Sequence, residues 1–198
     1  MNTKIILEHL YLVFMSVILS IGLGLPLGVM AYFHKSVRKP ILWISELLQT
    51  IPALALLGMV MMVLGAGKAT VISGLLLYSL LPIVHNTCLG LETIDPGIKR
   101  AARGMGMSRW DRLFSIELPL SFPMIFTGIR IATVTAVGIA VFATSVGGGG
   151  LGSVINQGIR TQNMRLILSG TLTLMAMAIL FDGVMALIES SLKKGGRA

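Results

Sequence analysis

Five long stretches of this chain contain no Lys, Arg, Asp or Glu, and they limit its fold more than any other feature. They are residues 9–34, 47–67, 69–91, 131–159 and 166–181. Because about 20 apolar residues in a helix cross a bilayer, stretches of this length predict membrane-spanning helices. Only 12% of the residues are charged and the mean hydropathy is +0.87, so a soluble globule would expose much apolar surface. The sequence predicts an all-α integral membrane protein and excludes a large soluble catalytic domain.

The expected architecture is a single transmembrane domain that covers residues 1–198. Its five helices are predicted near Leu10–Phe33, Ile41–Leu64, Thr70–Leu91, Phe122–Val146 and Leu166–Ser190. The first is interpreted as a retained span, because its apolar stretch is too long for a signal peptide and has no small-residue cleavage site. Pro26, Pro52 and Pro82 each remove a backbone donor, so all three are expected to interrupt their helices. Such interruptions serve a pathway or only packing, and the sequence leaves both readings open.

The basic residues predict the orientation, because cytoplasmic loops of membrane proteins carry an excess of Lys and Arg. With the N-terminus outside, eleven fall on the inner side: Lys35, Arg38, Lys39, Lys99, Arg100, Arg103, Arg109, Arg112, Lys193, Lys194 and Arg197. Four fall on the outer side: Lys4, Lys68, Arg160 and Arg165. We therefore expect a multi-pass plasma-membrane protein with its N-terminus outside and its C-terminus in the cytoplasm. The same rule explains the net charge of +8 without a nucleic-acid partner.

One long cytoplasmic loop, at about residues 92–120, contains the signals of two short helices. Asp95 followed by Pro96 predicts an N-cap with proline in the first turn, and Gly104 and Gly106 are expected to end this helix.

The segment from Ser108 to Asp111 resembles a capping box that opens a second short helix, which Pro119 and Pro123 are expected to close. Trp110 is a candidate anchor, since tryptophan is enriched at protein interfaces. From these residues alone, the loop is either a protein-docking element or an amphipathic unit on the bilayer surface.

The same loop resembles the signature of ABC importer permeases, which reads Glu-Ala-Ala, three residues, Gly, nine residues, Ile, one residue, Leu-Pro. Ala101-Ala102, Gly106 and the segment from Ile116 to Pro119 match it at the family spacing, whereas Arg100 replaces the usual Glu. That departure leaves open any charge contact made by the glutamate. The resemblance implies that this loop docks in a cleft of an ATPase subunit. The implied coupling residues are Asp95, Arg100, Ala101, Ala102, Arg103, Gly104, Gly106, Trp110, Leu118 and Pro119.

Three further segments, Glu46–Gly58, Tyr78–Leu91 and Gly147–Gly152, look like one branch of that family. Its members are permeases of importers for quaternary-amine osmoprotectants such as glycine betaine, carnitine or choline. The resemblance implies a type I ABC importer permease fold, similar to that of the methionine importer. It also implies three partners: an ATPase dimer, a second permease copy or paralogue, and an extracellular or lipid-anchored substrate-binding protein.

Polar residues inside the apolar helices are candidates for the translocation pathway, because such groups are costly in a bilayer. They are Glu46, Gln49, Thr50, Pro52, His85, Asn86 and Asp182. Asp182 is expected to pair with Arg130, to attract a cationic substrate, or to make only a structural bond between helices. The resemblance further implies an outer gate, or a contact for the binding protein, at Gly147, Gly148, Gly149, Gly150, Leu151 and Gly152, where the alternative is a flexible turn.

The sequence contains no motif for nucleotide binding, catalysis or metal binding. Met62 stands where a phosphate-binding loop ending at Gly67-Lys68 would need glycine, and no catalytic constellation or metal-ligand spacing is present. We therefore expect no enzyme activity, with ATP and Mg²⁺ bound by the separate ATPase. The aromatic residues, 6% of the chain, are dispersed, so high-affinity capture is expected in the binding protein. The alternatives are a permease for another small solute, such as an amino acid-like one, or an ion-coupled secondary transporter.

Overall fold

The structure is a computed structural model that describes residues 2–195, and every regular element among them is helical. The first half contains α1 (Thr3–Phe33), α2 (Lys35–Thr50), α3 (Ala53–Leu64) and α4 (Lys68–Glu92). The second half contains α5 (Pro96–Gly104), α6 (Arg109–Arg112), a π-helical stretch (Leu113–Glu117), α7 (Leu118–Ile139), a 3-10 helix (Ala140–Val146), α8 (Leu151–Arg160) and α9 (Met164–Gly195). The side chains of Lys193, Lys194 and Arg197, which the orientation argument counts, lie outside the described part.

Four helical segments in the described part are long and apolar enough to cross a membrane, and α2 with α3 makes a fifth if the bent pair is one span. The predicted all-α, five-span architecture is therefore confirmed, with shifted helix ends. The first helix begins at Thr3 rather than Leu10, because Asn2 accepts a hydrogen bond from the backbone of Lys4 and caps it there. The region after Gly150, which the sequence leaves as a loop, forms α8.

Only one of the three expected proline interruptions exists. The second span breaks at Ile51-Pro52, where α2 and α3 meet at 104°. Pro26 and Pro82 lie inside the continuous helices α1 and α4, so neither of them breaks its helix. Helices in a membrane protein tolerate proline where neighbouring groups donate a hydrogen bond to the carbonyl that the proline leaves without a donor.

The prediction that Pro119 and Pro123 close a separate short helix is also wrong. The helical path continues from Arg109 to Val146, and both prolines lie near the start of α7. A π-helical bond from the Leu118 N–H to the Leu113 carbonyl widens the turn just before Pro119. This wider turn gives the proline ring room that an ordinary α-helical turn would deny it.

The core lies where α1, α4 and α7 pack together, and glycines bring their backbones close. A Cβ built on Gly28 would meet the Thr87 side chain at 2.6 Å, and one on Gly128 would meet the Pro82 carbonyl oxygen at 2.4 Å. Such close approach is a common way to pack helices where lipid removes the hydrophobic driving force. The helix α9 packs mainly against α7 and α8, contacts α1 where the Phe14 and Phe181 rings meet, and leaves most of its apolar surface unpartnered.

The connecting segments gather at two opposite ends of the bundle. One end, which we call the loop end, carries His34 and residues 93–108. The other, the turn end, carries the start of α1, the α3–α4 connection and the glycine turn at residues 147–150. Contacts such as Arg38 with Glu92 at the loop end and Gly67 with Val146 at the turn end hold each set together.

Candidate functional site

Helix α5 at the loop end is a self-contained capped unit. The Asp95 side chain accepts a hydrogen bond of 2.5 Å from the Gly97 N–H, as an N-cap does. At the other terminus, Gly106 has a φ of +81°, and the N–H groups of Gly106 and Met107 bond to the Arg103 and Ala102 carbonyls. This is a Schellman ending, in which Gly104 is the last helical residue and Gly106 supplies the left-handed one.

One face of α5 is apolar and exposed. Ile98, Ala101 and Met105 are spaced three and four residues apart, so they form one stripe along the helix, and all three are exposed. Arg100 and Arg103 flank the stripe and are exposed as well. The two adjacent alanines differ in exposure, because Ala102 is fully buried against the bundle while Ala101 is exposed.

The second part of the loop begins as expected and then joins the bundle. Ser108 and Asp111 form a complete capping box. Farther on, Arg112 donates to Glu117 over 2.6 Å, and both side chains are buried. Because a buried charge needs a partner, this pair stabilises the turn by which α6 continues into α7.

Trp110 packs against α1 instead of standing free. Its ring lies 6.0 Å from the Phe33 ring and 6.1 Å from the Phe114 ring, measured between centroids. Tyr32 lies 5.1 Å from Phe33, so four aromatic rings meet at the loop end. Four aromatic residues from two distant parts of the sequence therefore meet in space, although their rings contact one another and do not frame a cage.

Lys99 ties α5 to the core. Its ammonium donates to the Leu91 carbonyl over 2.6 Å and lies 5.0 Å from the centroid of the Tyr32 ring. Burial lowers the pKa of Lys99 below its usual value, while the nearby carboxylates of Glu117 and Glu92 oppose that shift.

The break in the second span is stabilised by α4. Because Pro82 has no N–H, the Tyr78 carbonyl lacks its helical donor, and the Gln49 side chain donates to it over 3.0 Å. In return, the Tyr78 hydroxyl donates to the Ile51 carbonyl over 2.8 Å, at the point where α2 ends. Gln49 therefore has a structural partner, and Tyr78 is a residue that the sequence analysis missed.

The remaining candidates of this region differ in their surroundings. Thr50 bonds back to the Leu47 carbonyl, and Asn86 donates to the Pro82 carbonyl over 2.7 Å. Glu46 and His85 are exposed on α2 and α4. Only Asn86 among the four is partly buried, since Thr50 is exposed as well, and the structure does not join the four into one site.

An ion cluster joins α7 to α9 within the membrane-spanning part. Arg130 donates to Asp182 over 2.8 Å and to Glu189 over 2.9 Å, and Thr127 donates to Glu189 over 2.7 Å. The predicted pairing of Asp182 with Arg130 is thus present. The sequence gives no signal for Glu189, because it lies close to the predicted helix end, where a charged residue is ordinary.

This cluster lines an open cavity of about 310 Å³, together with Ile131, Val134 and Thr135. The Asp182 side chain remains 47% exposed and that of Arg130 28% exposed. Charged groups at membrane depth do not face lipid, so this side of α7 and α9 adjoins water or another protein chain.

At the turn end, the glycine run is a packed turn and not a flexible one. Gly147, Gly149 and Gly150 have φ values between +77° and +79°, which favour glycine. A Cβ on Gly148 would meet the Val71 side chain at 2.4 Å. Leu151 and Gly152 already belong to α8, and a Cβ on Gly152 would meet the Val141 carbonyl oxygen at 1.8 Å.

His9 holds this turn to the bundle. The Leu151 N–H donates to its Nδ1 over 3.3 Å, so the proton is on Nε2, which lies 3.1 Å from the Val137 carbonyl oxygen. That carbonyl lies near the point where α7 ends and the 3-10 helix begins. The hydrogen bonds change there from the i−4 to the i−3 pattern, and this change leaves one backbone carbonyl without a helical donor. His9 is fully buried, and its pairing across 128 and 142 residues gave no signal in the sequence.

Within the described residues, no group of three or more His, Cys, Asp or Glu side chains could hold a metal ion. The only cysteine, Cys88, is buried.

Comparison with known proteins identifies the architecture. The family model of the binding-protein-dependent transport system inner membrane component matches residues 11–194. The chain is 38% identical over 194 residues to the osmoprotectant import permease protein OsmW of Salmonella typhimurium. The aligned region covers 96% of this chain and 90% of that relative. It is 34% identical over 189 residues to the glycine betaine/carnitine/choline transport system permease protein OpuCB of Bacillus subtilis, across 96% and 87% of the two chains.

A solved structure of the MetNI methionine ABC transporter, in an inward-facing conformation, has a TM-score of 0.87 at 22% identity. The match covers 96% of this chain and 95% of that one. It confirms the expected fold of a type I ABC importer permease, and at this identity it shows the fold alone.

Proposed function

Because the chain belongs to the family of binding-protein-dependent transport system inner membrane components, we propose that it is the permease of an ATP-driven importer for quaternary-amine osmoprotectants such as glycine betaine, carnitine or choline. The observation that carries this proposal is the 38% identity, over 96% of the chain, to an osmoprotectant import permease. The chain is a transport component and not itself an enzyme. Under this proposal a separate ATPase dimer binds ATP and Mg²⁺, and a substrate-binding protein captures the solute.

The α5 stripe is the part that we propose to dock on the ATPase. An exposed apolar row flanked by Arg100 and Arg103 suits a partner surface with an apolar cleft and acidic edges. The helix is capped at both ends and tied to the bundle by Lys99, so it can transmit a displacement as one body. Arg100 stands exposed at the position of the family glutamate, and we propose that it contacts an acid of the partner.

The docking proposal is tested by placing a charge in the stripe. Ala101→Asp should lower ATP-driven uptake at least tenfold in proteoliposomes that contain the ATPase and the binding protein, because the carboxylate would be buried without a partner (about 1.4 kcal/mol or more). The folded permease should keep its melting temperature. Ser36→Asp, which adds the same charge at another exposed position of the loop end, should leave uptake unchanged. Full uptake by Ala101→Asp would refute the docking role of α5.

We propose that the translocation pathway runs along the face of α7 and α9 that bears the ion cluster. A cluster with two carboxylates, of which Asp182 is 47% exposed, suits the passage of a substrate with a cationic head group through the spanning region. A second copy of this chain, or a paralogue, would close the open side of the cavity. The exposed residues Glu46 and His85 remain candidates for the same pathway, and the binding protein would set most of the specificity.

Cysteine accessibility tests the position of the pathway. In a Cys88→Ala background, Thr135→Cys on the cavity wall should react with a charged, membrane-impermeant thiol reagent. Leu180→Cys is the matched control, because residue 180 is 63% exposed on the opposite face of α9 from Asp182 and should be shielded by lipid. If both cysteines, or neither, react in the assembled transporter, the cluster does not line an aqueous pathway.

For the orientation, we propose that the loop end faces the cytoplasm, as the excess of basic residues there indicates. The glycine turn then faces outward as a gate or as a contact for the binding protein. Its left-handed glycines and tight packing suit a segment with few available conformations. A permease for an amino acid-like solute is the second candidate, favoured only by the shared fold with the methionine transporter. An ion-coupled secondary transporter disagrees with the family to which the chain belongs.

A further inference from the structure

An apolar crevice of about 470 Å³ opens at the loop end, between the last turns of α1 and the start of the α6–α7 path. On α1 it is lined from Leu25 to Phe33, a distance of about 12 Å along the helix axis. Trp110, Leu113 and Phe114 form its opposite wall. The Trp110 and Phe114 side chains are 62% and 64% exposed, so nothing in the described part of this chain fills the crevice.

The mouth of the crevice is basic, whereas its depth is apolar. His34 lines the mouth, Lys35 follows it, and Arg109 directly precedes Trp110. Lys35 and Arg109 are both exposed, and neither has an ion-pair partner among the described residues. Two other basic residues of the loop end have ion-pair partners, since Arg38 pairs with Glu92 and Arg112 with Glu117. Asp111, the acid closest in sequence, is bound to Ser108 in the capping box.

This arrangement matches one kind of molecule. An apolar channel about 12 Å deep suits the upper part of an acyl chain, and aromatic rings are common at the membrane interface. Lys35 and Arg109, which have no ion-pair partner among the described residues, are each next in sequence to a residue that lines the crevice. We propose that the crevice binds one anionic phospholipid of the adjacent leaflet, with an acyl chain along α1 and its phosphate between Lys35 and Arg109. The site does not depend on which solute the transporter carries. It also gives Trp110 a role on the lipid side, apart from the α5 stripe.

Bromine quenches tryptophan fluorescence at short range, so brominated lipids report occupancy directly. The full-length chain with Trp43→Phe keeps Trp110 as the only tryptophan. It is placed in nanodiscs that contain a small, equal fraction of brominated phosphatidylglycerol or brominated phosphatidylcholine. The site predicts an apparent preference of about tenfold for the anionic lipid, since each basic residue near the membrane surface favours it.

The double variant Lys35→Gln/Arg109→Gln should abolish this preference. The control Arg160→Gln/Arg165→Gln, which removes the same charge from exposed residues at the α8–α9 connection, should keep it. Equal quenching by the two lipids would show that bulk lipid fills the crevice and would overturn the proposal. Absence of quenching by either lipid would show that protein covers Trp110, and this result would overturn it as well.

Discussion

The two ends of the bundle are built by different kinds of contact. At the loop end, Asp95 bonds two residues ahead, Ser108 and Asp111 bond across three residues, and Arg112 pairs across five. At the turn end, His9 reaches partners 128 and 142 residues away. The loop itself, residues 95–112, is therefore a locally capped element that leaves an apolar stripe exposed and is attached to the bundle through Lys99 and Trp110, whereas the glycine turn is held by a side chain from a distant part of the chain. An end of the first kind is suited to dock a partner, and one of the second kind to hold a barrier.

The largest effect is expected at the buried ion pair of the loop end. Glu117→Gln should lower the free energy of unfolding by about 3 kcal/mol or more, because it leaves Arg112 charged and buried without a counterion. Thermal unfolding of the purified permease measures this loss. The control is Glu92→Gln, whose pair with Arg38 is about one-third exposed on each side and should contribute less than about 1 kcal/mol. Equal losses in the two variants would mean that burial does not make the Arg112–Glu117 pair more important than an exposed one.

A slightly smaller effect is expected at the turn end. His9→Leu keeps an apolar side chain of similar size but leaves the Leu151 N–H and the Val137 carbonyl without their partner, at a cost of about 2 to 3 kcal/mol. Hydrogen exchange should then show faster exchange at the start of α8 and unchanged exchange in α5. Substitution of the exposed His34 by leucine should change neither. Faster exchange at both ends would refute the separation of the two regions.

The smallest effects compare two neighbouring glycines. Gly106→Ala should destabilise the chain by about 1 kcal/mol, because its φ of +81° is unfavourable for a residue with a Cβ. Gly104→Ala should stabilise it by about 0.5 kcal/mol, because Gly104 is helical and a Cβ there meets nothing within 4 Å. Changes of the same sign would mean that Gly106 does not set the end of α5.

The same contrast explains what the sequence predicts. The spans follow from their uncharged apolar stretches, and the caps at Asp95 and Ser108 follow from signals that lie within four residues. His9, Tyr78 and Glu189 could not be found in this way, because each acts on a partner at least 27 residues away. The prolines show most clearly what local sequence cannot predict. Pro52 and Pro82 each stand within an apolar helical stretch, yet only Pro52 breaks its helix. The helix that contains Pro82 stays intact because Gln49, on another helix, donates to the carbonyl that Pro82 leaves free.

Substrate uptake shows whether this chain is the permease of an osmoprotectant importer. The chain is reconstituted with its ATPase and binding protein in proteoliposomes, and uptake of labelled glycine betaine, carnitine, choline and methionine is followed with and without ATP. The account predicts ATP-dependent uptake of at least one quaternary amine and none of methionine. Uptake of methionine alone, or quaternary-amine uptake that follows an ion gradient and ignores ATP, would contradict it.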